Sequence, residues 1–236
     1  AKVAELGAEH VAAFFCEPIQ GSGGVIVPPA GWLKAMREAA RELGILFVVD
    51  EVITGFGRTG AAFGAHSFGV TPDLMTMAKG LTNGAQPMGA VAIARRIHDT
   101  IVDAAADGAI EFFHGYTYSG HPAACAAGLA TLDIYRDEGL FERGKALSPY
   151  FLESLFSLRD IAVVADLRGY GMMGAIEVHA DGTPGKRGHQ FQKRLFDHGL
   201  HLKATGDAAI VAPPLIAERT HVDTIIDVLR RTLQSL

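Results

Sequence analysis

The run Ile45-Leu46-Phe47-Val48-Val49-Asp50 constrains the fold of this chain more than any other segment. Its apolar residues are consecutive rather than alternating, so the strand they form is covered on both faces, as in a parallel sheet flanked by helices. The preceding segments agree. Val11 to Cys16 is a second short apolar run, ending in Glu17-Pro18-Ile19-Gln20-Gly21-Ser22-Gly23-Gly24, which reads as a strand entering a glycine-rich turn. Pro28 and Pro29 then open a helix with apolar face Trp32, Leu33, Met36, Ala40 and Leu43, and Gly44 suits the left-handed residue that ends it. Asp73 to Ala78 and Met88 to Ala94 add two candidate strands, making the first half an α/β unit with a largely parallel sheet.

The second half changes style. A helix is expected from Pro122 to about Glu138 and another from Leu140 to Phe156, the pair bridging to a second unit. Beyond Asp160 come short β-like runs: Ile161 to Leu167, Met172 to Val178, Leu200 to Lys203 and Ala208 to Val211, interrupted by a helix near Gln190 to His198. Thr220 and Asp223 form a capping pair for a last helix with stripe Val222, Ile225, Ile226, Leu229 and Leu233. The expected division is therefore a larger unit over residues 1–156 and a small α+β domain over residues 157–236.

A formal net charge of −5 with no basic block leaves no electrostatic footprint for nucleic acid or an anionic membrane surface, so a small-molecule ligand is expected. Cys16 and Cys125, the only cysteines, both lie in apolar surroundings and read as reduced core thiols, which suits a reducing, cytoplasmic location. No apolar run reaches the roughly 18 to 20 residues of a membrane span, and no segment has the order of a signal peptide. The chain opens on Ala1 rather than methionine, so a targeting segment upstream stays an open alternative. No metal site is expected.

Gly55-Phe56-Gly57-Arg58-Thr59-Gly60 matches the dinucleotide-binding pattern G-x-G-x-x-G. Its context argues against that use. The first glycine stands five residues beyond Asp50 instead of in the strand-to-helix turn, and Ala61 to Val70 is too interrupted by phenylalanine and glycine for a phosphate-facing helix. The glycines read better as points where a loop passes close to other backbone.

Asp50 and Lys79 form the stronger pair. Each follows a strand-like run, and in α/β sheets ligands sit at the carboxyl ends of strands. Either residue alone is bland, a turn-capping aspartate or a surface lysine. An acid and an amine at neighbouring strand ends suit pyridoxal phosphate, whose aldehyde needs a lysine and whose ring nitrogen needs a carboxylate.

Glu17-Pro18-Ile19-Gln20-Gly21, Asp50-Glu51-Val52-Ile53-Thr54-Gly55-Phe56-Gly57-Arg58-Thr59-Gly60, Ala78-Lys79-Gly80, Tyr116-Thr117-Tyr118-Ser119-Gly120-His121-Pro122 and Leu167-Arg168-Gly169 resemble motifs of the class III aminotransferases, pyridoxal phosphate enzymes of fold-type I. The resemblance runs from about residue 9 to the C-terminus and is closest to the omega-amino acid:pyruvate group. It implies that Lys79 bonds the cofactor aldehyde and shuttles a proton, that Asp50 pairs with the ring nitrogen, and that Val52, two residues on along an extended stretch, packs under the ring. It implies further that Thr117, with the Tyr116 backbone beside it, meets the cofactor phosphate of a second subunit, making an obligate homodimer.

Several positions depart from the family. Where related enzymes for distal amines carry a glutamate, five residues past Glu17, this chain has Ser22, and the partner arginine position is Ile210. The arginine that holds the substrate carboxylate in the pyruvate group, just before Gly206-Asp207, is replaced by Lys203, a point charge without the two-pronged fork of arginine. The phosphate-cradling turn and the ring-stacking aromatic of the family's N-terminal half have no counterpart in the chain. The expectation is thus the C-terminal part of a transaminase acting on an amine or omega-amino acid and a keto acid. Alternatives are another reaction on this fold (aminomutase, racemase or lyase), a non-catalytic fragment, and, last, a nicotinamide oxidoreductase.

Overall fold

The computed structural model describes residues 2–236. Strands β1 (Ala13–Cys16), β2 (Leu46–Asp50), β3 (Leu74–Met77) and β4 (Ala90–Ile93) lie side by side in that order. The first three run parallel and β4 returns antiparallel to β3. A short helix, α1 (Lys2–Leu6), precedes β1, and α2 (Trp32–Glu42) is the crossover from β1 to β2. Phe47 and Val49 of β2 pack with Leu33 and Ala40 of α2, so these alternate residues face the helix. Val48 and Asp50 consequently face the other way.

Several boundaries shift from expectation by a few residues, the strand expected from Ile161 to Val164–Tyr170 and the start of the helix near Gln190 to Lys186 among them. Strand β1 starts at Ala13 rather than Val11, and α2 starts at Trp32, after Gly31 in a left-handed conformation, because Pro28 and Pro29 lie in an extended lead-in. Gly44, at φ +69, ends the helix as expected. Asp73 stands just outside β3. Its carboxylate, only 3% exposed, accepts the Phe47 N–H at 2.9 Å and pairs with Arg37 at 3.1 Å and with Arg96, which opens the helix α4 (Arg95–Asp103). Burial pushes this carboxyl upward, but the Phe47 amide and the two guanidinium groups outweigh it and hold it below the ordinary carboxylate value.

Between β2 and β3 lies the short helix α3 (Gly64–Ser67), and after α4 an exposed loop leads to α5 (Pro122–Asp137) and α6 (Leu140–Phe156). Strands β5 (Val164–Tyr170), β6 (Met173–Val178), β7 (Lys203–Thr205) and β8 (Ala208–Val211) make an antiparallel sheet of order β5-β6-β8-β7. Helices α7 (Lys186–Asp197) and α8 (Arg219–Gln234) cover it. Phe151 and Leu155 of α6 share one core with Ile176, Phe191 and Leu229, so α6 packs as a layer on this sheet as well as connecting to it. The expected strand Leu200 to Lys203 is displaced to Lys203–Thr205, since Leu200 and Leu202 are drawn down onto the core instead. The expected Thr220–Asp223 cap is also corrected. Glu218 is the N-cap residue, and His221 Nδ1 accepts the Glu218 N–H at 3.1 Å.

A third cluster joins the two halves. Ile19 and Val25, from the turn after β1, pack on Met173 and Ala175 of β6. Arg168 of β5 donates to the Gly24 carbonyl at 3.0 Å and Arg58 donates to Pro213 and Met172 carbonyls at 2.6 and 3.2 Å.

Candidate active site

Strands β2 and β3 deliver Asp50 and Lys79 to the same edge of the sheet. Asp50 is in register with Thr76, and the Glu51 N–H donates to the Thr76 carbonyl at 2.9 Å, so the ladder is tight to its last rung. Lys79 opens a single 3₁₀ turn, Lys79–Leu81, immediately beyond β3. Asp50 Oδ1 accepts the Val52 N–H at 2.9 Å.

That bond reveals a correction. The stretch after Asp50 is a turn, not the extended stretch expected, and the Gly55 N–H reaches back to the Glu51 carbonyl at 2.9 Å. The physical reason is Glu51. Fully buried, its carboxylate accepts from Thr54 Oγ1 at 2.6 Å and from the Gly64 and Ala65 amides of α3 at 2.8 and 2.6 Å, which curls the chain around it. Val52 still lines the cavity that holds Lys79, brought there by the turn rather than by strand alternation.

Lys79 has φ +45, a left-handed conformation that costs an L-residue about 1–2 kcal/mol and persists only where its surroundings enforce it. Two neighbours enforce it here. A Cβ on Gly80 would lie 2.9 Å from Phe56 Cβ, so the turn is pressed against that ring and only glycine fits. From the other side Tyr135 of α5 donates its hydroxyl to the Gly80 carbonyl at 2.7 Å. The loop Gly55–Gly60 therefore serves close packing, as the sequence suggested. Gly57 has φ +87, and a Cβ on Gly55 would sit 2.7 Å from the Glu51 carbonyl oxygen.

The cavity around Lys79 has a volume of about 660 Å³, within the range of small-molecule sites. Ile53, Phe56, Leu215 and Ile216 make much of its wall apolar. Besides Lys79 its cation is Arg58, already committed to two backbone carbonyls; burial lowers its pKa, with Tyr135 partly offsetting. Asp50 lines a second cleft with Glu17, Gln20 and Trp32, and Val52, whose N–H it accepts, lines the Lys79 cavity.

The remaining expected site residues are elsewhere. Tyr116 (φ +49) and Thr117 lie in the exposed loop before α5, outside the Lys79 cavity, and the Tyr116 N–H donates to His114 Nδ1 at 2.9 Å. Thr117 does not cap α5, whose N-cap position is His121. Lys203 is exposed on the edge strand β7, paired with Ile210, and does not line the cavity. Asp207, in the turn beyond β7, accepts the Gly185 and Gly188 amides at the start of α7 at 2.8 and 2.9 Å. Sequence reasoning passed over Glu51 and Tyr135. For Glu51 the signal was an acid three residues before Thr54 at the mouth of a glycine-rich loop; for Tyr135 it was only a tyrosine within an apolar helix.

The residues fit a pyridine aldehyde. Lys79 makes no ion pair among the described residues, leaving its amine free. Asp50 engages one carboxylate oxygen only. Thr76 Oγ1 is the single buried side-chain polar atom without a partner among the described residues, and registered parallel neighbours share a face, so it flanks Asp50. An orphan hydroxyl beside a half-used carboxylate is what a polar ligand group would complete.

Comparison with known proteins agrees with this geometry. The class III aminotransferase family profile matches residues 1–233. The chain is 48% identical over 227 residues to an omega-aminotransferase of Caulobacter vibrioides, covering 96% of this chain and 52% of that one. It is 43% identical to a beta-alanine–pyruvate aminotransferase of Pseudomonas aeruginosa, with coverage of 97% and 52%. The solved structure of an (S)-enantioselective omega-transaminase from Thermomicrobium roseum superposes with a TM-score of 0.93 at 40% identity, over 99% of this chain and 53% of that chain. The chain belongs to the class III aminotransferases, with the mixed α/β fold of fold-type I, and it spans about half the length of the curated relatives it matches.

Proposed function

We propose that the protein is, or forms part of, a pyridoxal phosphate-dependent aminotransferase that moves an amino group between an amine or omega-amino acid and a keto acid such as pyruvate. The observation that carries this reading is the free amine of Lys79 at the end of β3, one strand from the half-engaged carboxylate of Asp50. When bound, the cofactor supplies the electron sink that takes up charge as a proton leaves the substrate carbon. Lys79 would hold the cofactor through its Nζ, and its amine would serve as the base that moves that proton. The Asp50 carboxylate keeps a proton on the ring nitrogen, since an adjacent negative charge favours the cationic form. The apolar wall of Ile53, Phe56 and Leu215 limits water around the amine.

The substrate side of the proposal rests on Lys203. Arg58 is occupied by backbone carbonyls, and Lys203 stands outside the cavity, so the chain offers no two-pronged carboxylate clamp next to Lys79. This favours amines and aldehydes without a carboxylate, and a weak hold on keto acids. Lys203→Arg is expected to lower the KM for pyruvate severalfold in the assembled enzyme; an unchanged KM would count against a role for this position. Exposure of Tyr116 and Thr117, away from the site in their own chain, supports their service to the site of a second copy in a homodimer. The site is proposed to work in the cytoplasm. The test of the main reading is half-transamination: an amine alone should convert bound cofactor to its amine form, whereas racemisation or elimination without that conversion would point to another reaction on this fold.

A further inference from the structure

We propose that Tyr135 is a positioning residue for Lys79, fixing how its amine is presented by holding the carbonyl of the next residue. The proposal rests on the reading of Lys79 as the cofactor-bearing amine. The turn that carries Lys79 has few bonds of its own. The Leu81 and Thr82 amides donate to Ala78 and Lys79 carbonyls at 3.0 and 3.3 Å, the second a long bond for an amide. A left-handed lysine followed by glycine has an accessible escape into ordinary backbone geometry, and one weak turn does not close it.

Tyr135 supplies the missing constraint from a distant part of the chain. It lies on the buried side of α5, only 7% exposed, and its ring is held from two sides: it stacks on Phe56 at 6.0 Å and tilts against Phe141 at 5.0 Å. A ring so held leaves its hydroxyl little freedom, and that hydroxyl meets the Gly80 carbonyl at 2.7 Å. The Phe56 ring on which Tyr135 stacks also blocks any side chain at Gly80, so the two aromatics grip the turn by its peptide and by its Cα. Burial raises the phenol pKa, with Arg58 partly offsetting, so the group stays a donor through the neutral range. Phenylalanine would serve the packing equally well. The hydroxyl adds only the tie to the Lys79 turn.

Tyr135→Phe in the 236-residue chain removes the tie and keeps the ring. Amide hydrogen exchange at Leu81 and Thr82 is expected to quicken about tenfold, the equivalent of one lost hydrogen bond, while the amides of β1 and β2 stay unchanged. Borohydride-trapped pyridoxal phosphate on Lys79, at a cofactor level that half-labels the parent chain, is expected to fall severalfold. Phe141→Leu is the companion variant: it loosens the ring packing but keeps the hydroxyl, so the Tm should fall while exchange at Leu81 and Thr82 quickens less than in Tyr135→Phe. Unchanged exchange at those two amides in Tyr135→Phe, or quickening spread evenly over β2 and β3, would overturn the proposal. Faster exchange with no Lys79 adduct in either protein would keep the tie and reject the cofactor reading. Equal Lys79 adducts with unchanged exchange would do the reverse.

Discussion

Lys79 and Asp50 use the ends of adjacent strands in opposite ways, one left free to react and the other half-anchored by a backbone amide. Lys79→Ala is expected to abolish borohydride-stable capture of the cofactor, with the fold intact because the side chain contributes no ion pair. Asp50→Asn should retain cofactor but slow proton transfer by two or more orders of magnitude, an order-of-magnitude figure for loss of a positioned acid–base partner. Normal turnover in either variant would remove the residue from the site. Cys16 gives a separate check. Burial, aided by Glu17, pushes its thiol up to about 11, so roughly one part in a thousand is thiolate at pH 8 and alkylation by iodoacetamide should be far slower than for a free thiol. Labelling at the rate of glutathione would contradict the buried placement. Asp50 and Lys79 were legible in the sequence because short-range pattern suffices: a buried run, then a polar residue. Tyr135 and Glu51 were not, because their roles depend on partners in space, 55 residues away for Gly80 and 13 and 14 away for the amides that Glu51 holds.

Elements are tied to one another through a few bonds that sequence periodicity does not encode. Asp73 is the clearest case, tying the start of β3 to β2 through Phe47, to α2 through Arg37 and to α4 through Arg96. Asp73→Ala should cost about 3 kcal/mol, since it orphans a buried amide and unpairs a half-buried arginine, whereas the exposed Arg96 adds little. The folded carboxyl lies below its unfolded value of about 3.9, so its stabilisation is complete above that pH and is lost as pH falls toward the folded value. The stability difference between the parent and Asp73→Ala chains should therefore narrow as pH falls below the unfolded value; a constant difference would contradict the pairing. Gly80→Ala drives a methyl into Phe56 and should cost about 1–3 kcal/mol while displacing Lys79. A full Tm with normal cofactor capture would show that the turn is looser than described. The strands and helices themselves were readable from apolar runs and helical spacing. Among the misread parts, the turn after Asp50 follows from a glutamate buried by partners further along the chain, and the cap of α8 is a place where two local patterns competed, Thr220–Asp223 against Glu218–His221.

At the scale of the molecule, one face of the first sheet is open along its two edge strands. Phe15 of β1 and Val91 and Ile93 of β4 are 57%, 60% and 44% exposed, on the face that carries Asp50. Parallel sheets are ordinarily covered on both faces, and apolar surface left open promotes association. Concentration-dependent association in light scattering is the expected behaviour; a strictly monomeric chain at high concentration would mean that this face is tolerated by solvent. Among the described residues no helix is long and apolar enough to cross a membrane. The central claim is that Lys79 is the amine that holds pyridoxal phosphate. It is tested most directly by mixing the purified chain with the cofactor, reducing with borohydride and mapping the adduct by mass spectrometry. The account predicts a visible absorbance band lost on reduction and a phosphopyridoxyl group on Lys79 alone; an unmodified Lys79, with label absent or scattered over surface lysines such as Lys34 and Lys203, would contradict it.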